Sequence, residues 1–298
     1  MGHNLCRIER KTLYKELKPL FESLSSIRYA VIKGEVLSQQ IYGIPDKRNS
    51  SDIDILIDRK NVKFLEERLQ ELGFKQKSEN DTVSRRNRIL CMTYSHQIPS
   101  YHKNSGGFHL NVDVNYDIFW GEYEGKRCSI DAFLSDTIDM EIYGVIVKTL
   151  PIEKAFVQLV LHHYKEMNSL YHLSCHNCIR ASMFKDIYDF VCNRNADLNL
   201  SSIHNVCNQY VIGSYVYYML YYTNLVFESE FLSKYVDQIG FYRDNELLDS
   251  YGLSSKERKK WKIPFENRID NDNIWHDIAG DMTYMDVEKI IKNKLIFD

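Results

Sequence analysis

Alternating apolar and polar positions indicate a sheet in the first half of the chain. Runs of strand length stand at "YAVIK" (29–33), "DIDILID" (52–58), "RILCMTYS" (88–95), "FHLNVDVNYDIF" (108–119) and "IYGVIVKTL" (142–150). Between them, helices are predicted at 34–43 and at 61–73, where apolar residues recur at helical spacing. We therefore predict a mixed β-sheet with flanking helices, of the α/β or α+β class, over residues 1–150.

The second half has helical periodicity almost throughout. Pro151 suits the first turn of a helix, and Ile152, Phe156, Leu159, Val160 and His163 share one face of the helix that follows it. Segments 179–193 and 213–227 show the same periodicity. We predict an α-helical domain over residues 151–298, with the active site in the cleft between the two domains.

Composition and charge narrow the class of protein. The 298 residues are 44% hydrophobic and 27% charged, which is typical of a folded soluble chain. The formal net charge of -3 gives no global attraction for nucleic acid. The polar N-terminus has no secretory or membrane-spanning segment, so a cytoplasmic protein with no membrane partner is expected. Seven cysteines without a signal peptide indicate reduced thiols.

An acidic pair lies inside the apolar run "DIDILID". Asp52 and Asp54 leave the same face of the predicted strand, about 6.6 to 6.8 Å apart along the chain. Asp113 lies on the polar face of a later strand, and pairing of the two strands would bring it within about 4.8 Å. Three carboxylates without a nearby His or Cys suit Mg²⁺ or Mn²⁺. An isolated Asp-x-Asp is also typical of a solvated strand edge.

The order of these motifs resembles the polymerase-beta-like nucleotidyltransferase superfamily. The pattern is "VIKGEVL", a short helix and turn, "RNSSDIDILID" and a later "NVDVN". It is most similar to a largely uncharacterised bacterial branch with a KG…R…SDIDILI motif. The resemblance covers residues 30–58 well, 108–119 moderately and the helical half only in general style.

The resemblance implies a catalytic site. Asp52, Asp54 and Asp113 would be the catalytic residues and the metal ligands, holding two Mg²⁺ ions. Nucleotide binding would fall to Lys33, Gly34 and Arg48. The chain departs from the superfamily at Glu35, which replaces a small polar residue and either turns away, helps hold a metal or is an ordinary acid of the first helical turn.

Further motifs have a functional and a structural interpretation. Cys175 and Cys178 form half of a zinc site that His162 and His163 would have to complete, but no second CxxC motif appears and a site without zinc is favoured. Tyr215, Tyr218 and Tyr222 could stack a base, but core packing is favoured. The basic run 256–262 could contact RNA, but a solvated face is favoured. Asp58 and Asp117 share strand parity with the acidic residues and are expected at the surface.

These features predict transfer of a nucleoside monophosphate from an NTP to an acceptor, with release of pyrophosphate. The acceptor stays open: a small molecule, a peptide, a protein side chain or an RNA. The alternatives are a phosphotransferase that uses the same metals, and a non-catalytic binding module acting as an antitoxin or an RNA-binding partner.

Overall fold

The computed structural model describes residues 2–48, 50, 52–76, 85–120, 127–175, 179–193 and 198–297. The chain divides into two compact units, Met1–Ala155 and Phe156–Asp298. Within the described residues, no helix combines the length and the apolar character needed to cross a membrane.

A seven-stranded mixed sheet forms the centre of the first unit. Its order is β3-β4-β5-β2-β1-β7-β6. The strands are β1 Tyr29–Ile32, β2 Ile53–Ile57, β3 Lys75–Gln76, β4 Tyr101–Ser105, β5 Phe108–Asn115, β6 Ile138–Ile142 and β7 Val145–Thr149. The pairs β2–β5 and β1–β7 are parallel, and the other neighbours are antiparallel. The predicted mixed sheet is confirmed.

Helices accompany this sheet, and the long N-terminal one completes its core. The helices are α1 Gly2–Ser23, α2 Gly34–Tyr42, α3 Val62–Glu71, α4 Arg85–Tyr94 and α5 Ile130–Phe133. Leu13, Leu17 and Phe21 of α1 are buried in one hydrophobic cluster with Ile53 and Ile55 of β2. Each fully buried side chain of this size contributes about 1.5–3 kcal/mol. The odd positions of β2 therefore fix that strand on the core and leave Asp54 on the opposite face.

The predicted strand at 88–95 is wrong, because this segment lies in α4 and the turn after it. Arg88, Cys91, Met92 and Ser95 are buried or half-buried, whereas Ile89 is 57% exposed. The spacing of the covered residues is helical. A short apolar run of this length does not separate a strand from a helix. The β3 and β4 strands were not predicted, since both are short and polar.

The second unit is helical, as predicted. Its elements are α6 Ile152–Asn168, α7 Leu170–Ser174, α8 Ala181–Cys192, α9 Leu200–Tyr210, α10 Gly213–Phe227, α11 Glu230–Gln238, α12 Asn245–Leu248, β8 Ser250–Tyr251, β9 Lys259–Lys260, α13 Ile274–Ile278 and α14 Tyr284–Phe297. Phe156, Leu159, Val160 and His163 of α6 are buried, and Ile152 is partly exposed. The predicted face is thus largely the buried one.

The tyrosine stripe of α10 belongs to this helical core. Tyr218 and Tyr222 are buried, with ring centroids 4.7 Å apart, and Tyr222 packs on Phe265 at 4.1 Å. The Tyr222 hydroxyl donates to the carbonyl of Leu248 at 2.6 Å. The stripe therefore packs the core, as the sequence analysis favoured.

The basic run near the C-terminus is paired with carboxylates. It includes strand β9, where the Nζ of Lys259 lies 2.7 Å from Asp286, and Lys262 pairs with Asp281. The ring of Trp261 lies under the guanidinium of Arg268 at 4.6 Å. These pairs neutralise much of the charge that an RNA-binding face would need.

Candidate active site

The turn between β1 and α2 has an unusual backbone. Lys33 and Gly34 both have positive φ, 58° and 44°. A Cβ at position 34 would lie 3.1 Å from the Oγ of Ser50, so a side chain there would be strained and crowded. Helix α2 begins at Gly34. Its first amides therefore open next to the segment that leads into β2.

Asp54 occupies the central strand of the sheet. Its backbone lies opposite Ile32 of β1 on one side and opposite Asp113 of β5 on the other. Because Asp54 and Asp113 are directly opposite each other in the register of β2 and β5, they project from the same face of these neighbouring strands, which lie about 4.8 Å apart. Asp52 precedes β2 with the same parity. The structure therefore brings all three predicted carboxylates to one face of the sheet, on or beside the interior strands β2 and β5.

Polar neighbours hold two of these carboxylates. The Nζ of Lys33 lies 2.7 Å from Oδ1 of Asp54, and the amide nitrogen of Asn115 donates to the same oxygen at 3.1 Å. The hydroxyl of Ser100 donates to Oδ1 of Asp113. Sequence reasoning did not assign Asn115 or Ser100 to the site. Asn115 shares the parity of Asp113 two residues earlier, which is a usable signal, whereas Ser100 has none.

Burial and mutual repulsion shift the acids of this cluster. Burial and the charge of Asp54 raise the pKa of Asp52, against the opposing effects of Lys33 and Arg10. Burial, Asp54 and Asp52 together raise the pKa of Asp113 to about 7. Burial is the largest cause of both shifts, and repulsion between the neighbouring carboxylates adds to it. This donor set of oxygens fits a hard divalent cation such as Mg²⁺ or Mn²⁺.

The three carboxylates are not drawn together as tightly as metal ligands usually are. Among the described residues, the group of three donors that lie within 4.8 Å of one another is His162, His163 and Glu166 in the second unit, and not the aspartates. Lys33, Asn115 and Ser100 bind the carboxylate oxygens of Asp54 and Asp113 instead. Closing the cluster around an ion would require these partners to shift.

Glu35 is a buried structural acid rather than an ordinary residue of the first helical turn. The guanidinium of Arg10 binds both of its carboxylate oxygens, one of them at 2.6 Å, and both side chains are almost fully buried. Nη2 of Arg10 also donates to the backbone carbonyl of Asp52 at 2.7 Å. The Glu35 carboxylate is therefore turned towards α1. Arg10, which sequence reasoning missed, connects α1 to the start of the acidic strand.

The loop before the acidic strand is held by Ser38 of α2. Its hydroxyl accepts from the backbone amides of Lys47 and Arg48 at 3.2 Å and donates to the carbonyl of Ile44 at 2.9 Å. The Arg48 side chain is half-buried. The backbone of the predicted nucleotide-binding arginine is therefore held against α2 by Ser38.

Two further acids were expected at the surface. Asp58 caps the turn after β2 by accepting from the amide of Lys60 at 3.0 Å. The expectation is wrong for Asp117, which is 4% exposed, accepts from the amide of Phe119 and pairs with Arg127 at 3.5 Å. Burial raises the pKa of Asp117 to about 6.

The candidate cysteine zinc site lies partly outside the described residues, because Cys178 falls in the 176–178 gap. Cys175 is described, and its Sγ lies 4.0 Å from the hydroxyl of Ser174. His162 and His163 approach the carboxylate of Glu166. Within the described part of the chain, Cys175 joins no three-ligand group.

Comparison with known proteins agrees with the arrangement of the first unit. The profile of a family described as "Uncharacterised nucleotidyltransferase" matches residues 3–228, about three quarters of the chain. The chain belongs to this nucleotidyltransferase family. The match extends from α1 through α10, so it includes every residue of the acidic cluster.

Other comparisons add little. No curated protein matches the chain. A crystal structure of an antigenic nucleotidyltransferase-like protein from Paracoccidioides brasiliensis is similar at 17% identity, over 68% of this chain and 91% of that one. Its TM-score is 0.36, which carries no argument about the site.

Proposed function

We propose that this protein is a metal-dependent nucleotidyltransferase that moves a nucleoside monophosphate from an NTP to an acceptor. The bond between the α-phosphorus and its bridging oxygen breaks, a bond to the acceptor forms, and pyrophosphate leaves. The observation that carries the proposal is the register of Asp54 against Asp113 on neighbouring parallel strands. The strained turn at Gly34 lies beside Asp52, whose backbone oxygen would be 3.9 Å from a Cβ at position 34.

The acidic cluster is the proposed metal site. Asp52, Asp54 and Asp113 would hold Mg²⁺ or Mn²⁺, since their donors are oxygens. Burial, together with repulsion from neighbouring carboxylates, raises the pKa of Asp52 and of Asp113, and a bound cation would relieve that repulsion. When bound, such ions supply stabilisation of the charge that develops on the transferring phosphate. Asn115 orients Asp54, and Ser100 orients Asp113.

The turn after β1 is the proposed phosphate site. The absence of a side chain at Gly34 would let phosphate oxygens approach the backbone. The first backbone amides of α2, at the positive end of the helix dipole, would then attract these oxygens. The ammonium group of Lys33 pairs with Asp54 in this structure and would neutralise a phosphate bound at the same turn. Arg48 would add a guanidinium from the loop that Ser38 holds.

The proposal names only the possible classes of acceptor. A small molecule, a peptide, a protein side chain and an RNA end all offer an oxygen or nitrogen nucleophile. The pairing of the basic run with Asp281 and Asp286 gives no support to an RNA acceptor at that surface.

The label position in an NTP tests the proposal. Protein, each NTP labelled at the α- or the γ-phosphate, Mg²⁺ or Mn²⁺ and a cell extract as the source of acceptors are incubated together. Transfer of the α-label to an acceptor of any size, with release of pyrophosphate that carries no label, supports nucleotidyl transfer. Transfer of the γ-label alone identifies a phosphotransferase, and transfer of neither identifies a binding module; both results overturn the proposal.

A further inference from the structure

A compact group of nitrogen and oxygen donors lies on helix α6, away from the acidic cluster in sequence and unused by the proposed reaction. Nε2 of His162 lies 3.3 Å from Oε1 of Glu166, and Nδ1 of His163 lies 3.5 Å from Oε2 of the same side chain. All three donors lie within 4.8 Å of one another. The helix supplies this proximity, because residues three and four apart are neighbours on its surface.

The separations match those of a zinc coordination shell. Ligand atoms 2.0–2.1 Å from a tetrahedral zinc ion lie about 3.3 to 3.4 Å from one another. The two separations that involve Glu166 are 3.3 Å to Oε1 and 3.5 Å to Oε2, and one donor atom from each of the three side chains lies within 4.8 Å of the other two. Little movement is therefore needed for the three side chains to bind one ion.

A second carboxylate fixes one of the imidazoles from behind. Nε2 of His163, the nitrogen that faces away from Glu166, lies 3.4 Å from Oδ2 of Asp186 on α8. A metal-binding histidine usually has its other ring nitrogen directed to a carboxylate, which sets the ring orientation and makes the ligand more basic. His163 is buried with 5% of its side chain exposed, so its orientation is also fixed by packing.

Exposure is graded across the group. The side chains of His162 and Glu166 are 18% and 24% exposed, in contrast to the buried His163. An ion can therefore enter from the side of His162 and Glu166. Two imidazoles with one carboxylate leave one tetrahedral position for water, and this mixed donor set favours Zn²⁺ over Mg²⁺.

We propose that His162, His163 and Glu166 bind one Zn²⁺ ion, with Asp186 as the residue that positions His163. The site would join α6 to α8 within the helical unit. It shares His162 and His163 with the candidate cysteine site but uses the carboxylate of Glu166 in place of Cys175 and Cys178. It also stands independently of the proposed transferase activity.

Zinc titration of the full chain tests this proposal. Protein stripped with chelator is titrated with Zn²⁺ by calorimetry in excess Mg²⁺, so that the aspartate cluster does not take up zinc, and with Co²⁺ to read tetrahedral coordination from visible absorption. One equivalent should bind. His162→Ala and Glu166→Gln should each weaken the affinity at least tenfold, and Asp186→Asn about 10–100-fold.

Matched variants separate this site from the other candidates. His276→Ala removes an exposed histidine, Cys175→Ser with Cys178→Ser removes the cysteine pair, and Asp54→Asn changes the acidic cluster; all three should keep the parent's zinc affinity. Circular dichroism of each stripped variant confirms folding. Absence of zinc binding by the parent, or loss of zinc only in the cysteine variant, would overturn the proposal.

Discussion

The ammonium group of Lys33 lies 2.7 Å from Oδ1 of Asp54, with both side chains largely buried. This ion pair connects the turn that would receive phosphates to the strand that would hold the metal. One cation of the protein thus neutralises the carboxylate for which a metal would compete. The relationship makes metal affinity and nucleotide affinity respond in opposite directions to a single substitution.

Lys33→Gln should bind Mg²⁺ more tightly than the parent when no nucleotide is present, because Asp54 then has no competing ammonium. Two unit charges 4 Å apart interact with roughly 4 kcal/mol at an effective dielectric constant of 20. We expect a gain in Mg²⁺ affinity of about tenfold, which corresponds to only part of this energy. Affinity for the NTP should fall at the same time. Calorimetric titration measures both, and Lys60→Gln, at an exposed surface pair, is the control. Weaker Mg²⁺ binding by Lys33→Gln would exclude this competition.

The stability of the chelator-treated protein should depend on Asp113 and on pH. The pKa of this carboxyl is about 7 in the fold against an ordinary 3.8, so the folded state holds a proton that the unfolded state has released. Folding stability is therefore lost as pH rises from about 4 to about 7. The melting temperature of Asp113→Asn minus that of the parent should grow over this window and then stay constant. Differential scanning calorimetry of both proteins from pH 4 to pH 9 tests this, and a difference independent of pH would contradict it.

Substitutions at two glycines distinguish the effect of backbone strain from the effect of crowding at the turn. Gly34 and Gly43 both have positive φ, but only at Gly34 would a Cβ meet Ser50, at 3.1 Å, while nothing lies within 4 Å at Gly43. Gly34→Ala and Gly43→Ala should each lose about 1–2 kcal/mol of stability. Only Gly34→Ala should also raise the KM for the NTP, by about tenfold or more, equal to about 1.4 kcal/mol. Equal KM values in the two variants would remove Gly34 from the phosphate site.

The buried pair of Arg10 and Glu35 should be important for folding. Arg10→Met leaves the Glu35 carboxylate buried without its cation, which should lower the free energy of unfolding by about 3–5 kcal/mol. Replacing Glu35 by Leu in the same chain removes the stranded charge and should recover most of this loss. Urea denaturation measures both variants. A double variant no more stable than Arg10→Met alone would show that the backbone contact to Asp52, and not the ion pair, carries the stability.

Much of the sheet and the position of the acidic cluster could be predicted from the sequence. The period of two in residues 52–57 specified which side chains of β2 face the core, and the alternation in residues 108–115 specified the face of Asp113. Those patterns persist because burying one face of a strand fixes its register. The segment 88–95 was misassigned because its apolar run is too short to distinguish the two periods.

Contacts between distant residues were beyond the sequence. Nothing near Arg10 in the chain indicates that it binds Glu35, 25 positions away, because the pairing depends on how α1 packs on the sheet. The same is true of Ser100 on Asp113 and of the burial of Asp117. Helical spacing also places Glu166 beside His162 and His163, but the sequence analysis combined these two histidines with the cysteines and did not consider Glu166.

The most direct test of whether the acidic cluster carries the activity compares the rates of α-label transfer by Asp54→Asn and by Asp58→Asn. Both substitutions remove one carboxylate charge near β2, but Asp54 lies opposite Asp113 and Asp58 only caps a turn. With Mg²⁺, α-labelled NTP and extract, Asp54→Asn should lose transfer by several orders of magnitude while Asp58→Asn keeps the rate of the parent. Transfer by Asp54→Asn at the rate of the parent, in protein of unchanged fold, would contradict a metal-dependent site at this strand.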